Sequence, residues 1–211
     1  MTKIKKGILG GLSGKIGPVV GANWKGTDYL RSKPSIPPVQ TPPRKMAQAK
    51  FGYLTSFLKP FHPYLLQGFK HAAIGKTEFN AAFTANFKTA LQGEYPDFSI
   101  DFSQLLLSSG KLEVVANPTC TRLSASKLQF KWQDVTKGHF HIDDLIMIVV
   151  YSAKRKRADG MIGGVKRNAG NCIFKMEKRL WTSEVEVFIS VIGHNGRAVS
   201  NSYYLGKVDV I

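Results

Sequence analysis

From Tyr95-Pro96-Asp97 onward, apolar residues recur at every second position, the period of a strand with one face buried. The stretch KLQFKW shows it most plainly, with Leu128, Phe130 and Trp132 alternating against Lys127, Gln129 and Lys131. Val185, Val187, Ile189 and Val191 alternate in the same way against Glu184, Glu186 and Ser190, but Phe188 falls out of phase. In LIMIVVY, residues 145–151, both sets of positions are apolar, as in a central strand. The pattern predicts strands at 103–108, 111–116, 126–133, 143–152, 160–166, 170–177, 184–193 and 197–206. Their short, even spacing with Gly, Asn and Pro between them is that of a β-sandwich.

The middle of the chain has a helical period. Ala47, Phe51, Leu54, Phe57 and Leu58 form one stripe, and Pro60 ends or kinks that helix. A short helix opens at Pro63 and stops at Gly68 or at the turn near Gly75. Thr77 is placed to cap a third helix, in which Phe79, Phe83 and Phe87 share a face, with Gly93 closing it. Such a phenylalanine stripe is a core feature far more often than a ligand box.

Residues 7–34 are glycine-rich and only locally apolar. They read as two extended pieces joined near Gly21-Ala22-Asn23, with Pro18 arguing against a central strand position there. A two-stranded ribbon is marginal in water, so it must lie on something. PSIPPVQTPP, residues 34–43, is a stiff polyproline-like spacer. The expected organisation is therefore an extended arm with a β-ribbon at 1–43, a helical segment at 44–93 and a sandwich at 94–211. The expected fold class is mainly β with a small helical segment: an N-terminal β-ribbon arm, short helices and a C-terminal β-sandwich.

LQFKW at 128–132, LIMIVVY at 145–151 and EVEVFISVIGHNGRAVSNSYYLG at 184–206 resemble the second strand, the third strand and the last hairpin of a fibronectin type III or immunoglobulin-like domain. Such sandwiches host many unrelated functions. The N-terminal run GKIGPVVGANWKGTDYLRSKP, with the proline-rich segment and the helix start RKMAQAKF, resembles an uncharacterised protein family common in Bacteroidota. The chain departs from that family's pattern at Lys50, where an arginine is usual. Similar ribbons occur in some phage-related proteins. The resemblance implies architecture and carries no activity.

The net charge of +16 changes the picture, because it is unevenly spread. Residues 1–70 hold twelve Lys or Arg and only Asp28, while 101–211 carry sixteen bases against ten acids. This asymmetry favours a polyanionic partner or an acidic neighbour, with a solvated basic surface as the plainer alternative. Lys154, Arg155, Lys156 and Arg157, with Lys166 and Arg167, bracket an expected hairpin containing Gly160, Gly163 and Gly164. Two basic edges on one hairpin would make a ridge suited to phosphates. On the arm, Trp24, Lys25, Tyr29 and Arg31 are the expected partner-binding residues, with Trp24 and Tyr29 as anchors. Cys120 and Cys172 are expected as a free buried pair, with a bridge as the lesser alternative.

Catalytic motifs are scarce. GILGGLSGKIG lacks the Gly-x4-Gly-Lys-Ser/Thr spacing that wraps phosphate, and no dinucleotide fingerprint has its strand–turn–helix context. His139 and His141, before Asp143 and Asp144, form the one cluster able to reach a metal, though a polar loop explains them better. The sequence thus predicts no enzyme, no cofactor and no metal site. It predicts a structural or interaction protein joined to a protein partner or a second copy through its arm, with nucleic acid as the alternative partner. No apolar run is long enough to span a membrane, and Lys15 breaks the N-terminal run too early for an export signal. The expected location is the cytoplasm, or a particle assembled there.

Overall fold

The computed structural model describes residues 3–4, 11–24, 26–33, 40–133, 141–182 and 184–209. The chain divides into two compact units, Met1–Arg44 and Lys45–Ile211.

The first unit is a four-stranded antiparallel sheet in the order β1 (Lys3–Ile4), β2 (Leu12–Ile16), β3 (Val19–Trp24) and β4 (Thr27–Ser32). The ribbon therefore has more strands than the sequence pattern indicates. Gly21-Ala22-Asn23 lies inside β3 and is not the turn. The chain reverses instead between Ile16 and Val19, where Gly17 has a φ of 54°, and again before Thr27, where Gly26 has a φ of 85°. Gly21 is a glycine for a steric reason: a Cβ there would fall 2.2 Å from the Leu12 carbonyl oxygen.

The second unit has three layers. One sheet runs β10 (Arg157–Lys166), β9 (Leu145–Ser152), β12 (Val185–Ile192) and β13 (Tyr203–Val208); the other runs β11 (Asn171–Lys175), β8 (Lys127–Gln133) and β7 (Ala116–Ser124). Leu128, Phe130 and Trp132 of β8 meet Ile146, Ile148 and Val150 of β9 and Val187, Ile189 and Val191 of β12 in the core between them. The opposite faces of β9 and β12 are covered in turn by the helices. Met147, Val149, Tyr151 and Phe188 join Leu54 and Leu58 of α1 (Pro42–Leu58), Leu65 of α2 (His62–Gly68) and Ala81 and Ala82 of α3 (Glu78–Thr89) in a second core. A central strand covered on both faces must be apolar at every position, which is why LIMIVVY shows no alternation. Phe188 follows a register shift in the β12–β13 ladder and points to the helical layer.

The protein is mainly β, with short helices and a C-terminal sandwich of fibronectin type III-like strand order. Several local expectations are corrected. Residues 103–108 are not a strand, and of 111–116 only Ala116 is in one, as the first residue of β7 (Ala116–Ser124). Leu105, Leu107 and Val115 are buried, but their segment is held by side chains: Asn86 Oδ1 accepts from Leu106 N at 2.8 Å and Ser202 Oγ from Leu107 N at 2.9 Å. β7 lies almost wholly outside the expected strand ranges, because ANPTCTRLS is polar and carries a proline. Thr77 caps α3, accepting from Asn80 N, but the helix ends at Thr89 and Gly93 sits in a hairpin, β5 (Leu91–Glu94) with β6 (Asp97–Ile100). The α1 stripe is buried only in its C-terminal half; Ala47 and Phe51 are exposed. Among the described residues, no helix is long and apolar enough to cross a membrane.

Candidate interaction surfaces

In the N-terminal sheet, the register pairs Val20 with Arg31, Ala22 with Tyr29 and Trp24 with Thr27, so Trp24, Tyr29 and Arg31 share one face. The other face carries Ile16, Val19 and Leu30. All three of the latter are exposed, as are Trp24 at 51% and Tyr29 at 44%. Among the described residues, these four short strands have no second layer of their own in which to bury those side chains. Lys25 lies outside the described residues.

The expected basic ridge is split. Lys154, Arg155 and Lys156 form the tight turn between β9 and β10, and Arg157 opens β10. Lys166 ends the same strand; its partner Leu145 and Arg157's partner Ser152 are seven residues apart on β9, which separates the two groups by roughly 23 Å. Lys166 bonds Asp143 Oδ1 at 2.6 Å, and that ammonium holds the Asp143 carboxyl below its ordinary pKa. Arg167 is corrected outright: it is completely buried and offers nothing to a polyanion. Its guanidinium donates to the carbonyls of Glu113 and Val114, its N–H to Asp144 O, and its own carbonyl accepts from Trp132 Nε1 at 2.7 Å.

His139 lies outside the described residues. His141 and His194 stack with ring centroids 4.2 Å apart, and the buried Asp144 accepts from the backbone N–H groups of both. This is a hydrogen-bonded loop staple. Among the described residues, no group of three or more His, Cys, Asp or Glu is gathered around a common point. Cys120 and Cys172 are free, and each pairs in register with Phe130 from opposite sides of β8. Two strand spacings, about 10 Å, are too wide for a disulfide. Burial pushes the Cys120 thiol up to about 12 and the Cys172 thiol to about 11.

A groove of about 1020 Å³ was not visible in the sequence. Ala49, Gly52, Tyr53 and Ser56, one face of α1, form one wall; Phe98, Ser99 and Ile100 of β6 form another. Phe57, Phe102 and the buried Tyr151 line it further, with Phe57 and Phe102 rings 5.5 and 6.1 Å from Tyr151. Burial raises the Tyr151 phenol pKa, with Tyr53 adding to the effect. Lys59 and Lys156 are the only charged residues among its lining, and Lys156 belongs to the basic turn. No sequence period brings α1, β6 and the β9–β10 turn together.

The strand order and these surfaces define a fibronectin type III-like sandwich protein with an added helical layer and a separate N-terminal sheet. The chain belongs to the family of unknown function DUF6266, which matches residues 11–206. A family without an assigned activity is what the N-terminal resemblance implied. Among solved structures, the chain is similar to a myokine at 18% identity and a TM-score of 0.30, over 43% of this chain and 87% of that one. It is also similar to the fn3 domain of human contactin 1, at 14% identity and a TM-score of 0.34, over 49% and 83%. No curated protein matches it.

Proposed function

We propose that this is a non-enzymatic structural or interaction protein, anchored in an assembly through its N-terminal sheet while the sandwich presents a binding surface. The observation behind this reading is the sheet itself, with exposed Trp24 and Tyr29 on one face and exposed Ile16, Val19 and Leu30 on the other. Large apolar side chains grouped on both faces of a small sheet mark a contact surface, and a tryptophan with a tyrosine and an arginine is the composition that anchors one. The occupant proposed is a second copy of the chain or a fixed protein neighbour.

The test is the mass of the purified chain by light scattering, compared with Trp24→Ala. The wild type is expected as a defined oligomer that the variant dissociates, with the circular dichroism of the sandwich unchanged. An identical mass for the two proteins sinks self-association through the sheet and leaves the fixed neighbour, which Trp24→Ala must then fail to co-purify. A polyanion-binding alternative rests on the exposed turn Lys154-Arg155-Lys156-Arg157. It predicts nucleic acid on the same peak by absorbance, removed steeply by salt.

A further inference from the structure

The hairpin β5–β6 has only two strands, so β6 keeps an edge that no described residue pairs with. The phase of that edge follows from one bond. Asp101 N donates to Ala90 O at 2.8 Å, which makes 90 and 101 a hydrogen-bonded pair, and antiparallel pairs alternate. Gln92 with Ser99 and Glu94 with Asp97 are then bonded pairs as well. Phe98 and Ile100 direct their N–H and C=O groups away from β5.

Phe98, Ser99 and Ile100 all line the groove. Consecutive residues on a strand alternate between faces, so a groove touching all three runs along the strand's edge. The opposite wall is α1, and a glycine stands in the middle of it. Gly52 costs the helix roughly 1 kcal/mol relative to Ala. Yet a Cβ built there meets nothing within 4 Å, so no described residue requires a glycine at that point. A helix wall with no Cβ at Gly52, opposite an open strand edge, leaves room for another backbone beside the Tyr53 ring, which reaches Phe98 at 5.7 Å.

We infer that an extended peptide segment of a partner adds to β6 as a third strand, lying between β6 and α1. Its backbone bonds Phe98 and Ile100, and alternate apolar side chains enter the aromatic floor of Phe57, Phe102 and Tyr151. The segment is acidic. The groove's charged residues are Lys59 and Lys156, and Lys154, Arg155 and Arg157 continue the same turn. This binding is separate from the N-terminal sheet and does not depend on the assembly it is proposed to make.

The probe is a fluorescein-labelled synthetic peptide alternating Glu with Val and Phe, titrated with the full chain by anisotropy at low ionic strength. It is expected to bind at least about tenfold more tightly than the same peptide with Lys in place of Glu, and added salt should narrow the gap. N-methylating alternate peptide residues should abolish binding in one phase and spare it in the other, because only one set of N–H groups faces β6. Gly52→Leu fills the groove on a better helix former, so it should lower affinity about tenfold or more without lowering the melting temperature. Absence of binding, equal tolerance of both N-methylated phases, or full affinity in Gly52→Leu would each overturn the inference. Trp24→Ala is expected to bind the peptide like the wild type, which separates this result from the arm's.

Discussion

Lys166 and Arg167 are neighbours of equal formal charge, and the fold treats them in opposite ways. Lys166 reaches out to the half-buried Asp143, whereas Arg167 is buried beside Trp132 and holds the 113–114 segment by its carbonyls. Composition records the charge of both and the burial of neither, which is why a basic ridge was expected where a structural arginine lies. The one signal available was local: adjacent residues leaving a strand point in different directions, so Lys166 and Arg167 need not share an environment. Arg167→Met is expected to lower stability by about 2–4 kcal/mol in urea unfolding, because it strips the shared donor from two part-buried carbonyls and removes a fully buried side chain from the core. Arg167→Lys should recover little of that, since an ammonium cannot span two carbonyls as the guanidinium fork does. If the role were polyanion contact, stability would be unchanged and only binding would fall.

At the scale of elements, periodicity identified strands where one or both faces are apolar, and it failed where the backbone is held by distant side chains. β8, β9 and β12 were legible because their burial follows the pleat, down to Phe188, whose misfit marks the face turned to the helices. β7 pairs with β8 mostly through polar positions such as Thr119, Thr121, Arg122 and Ser124, which look like a loop. The segment around Leu105 and Leu107 looks like a strand but is clamped by Asn86, Ser202 and the end of α2. Two glycines test that packing. At Gly68 a Cβ would lie 2.2 Å from the Leu107 carbonyl oxygen, so α2 must shift, and Gly68→Ala is expected to cost about 1–3 kcal/mol. At Gly52 there is open space, and Gly52→Ala should instead stabilise by up to about 1 kcal/mol. Thermal melts of the two variants moving in the same direction would contradict this view of the α2 contact.

The whole chain combines parts of very different self-sufficiency. The sheet of residues 12–32 exposes apolar groups on both faces, while the unit from Lys45 onward contains two cores that share β9 and β12. Sequence reasoning recognised helices and sandwich as separate stretches, because each has its own period, but no local pattern records that Leu54, Leu58 and Phe61 complete the outer face of the sandwich sheet. The groove was illegible for the same reason, being assembled from three stretches far apart in the chain. Truncation distinguishes a helical layer that is part of the core from one that is merely attached. Residues 45–211 retain both cores and are expected to unfold in one cooperative transition. Residues 94–211 would leave Met147, Val149, Tyr151, Phe188 and Ile192 facing water, an apolar sheet surface that soluble monomers do not tolerate. That shorter piece is expected to bind anilinonaphthalene sulfonate strongly, lose cooperativity and aggregate. A soluble 94–211 fragment that melts sharply without binding the dye would show instead that the sandwich folds without its helices, and that β9 and β12 are stabilised from one side only.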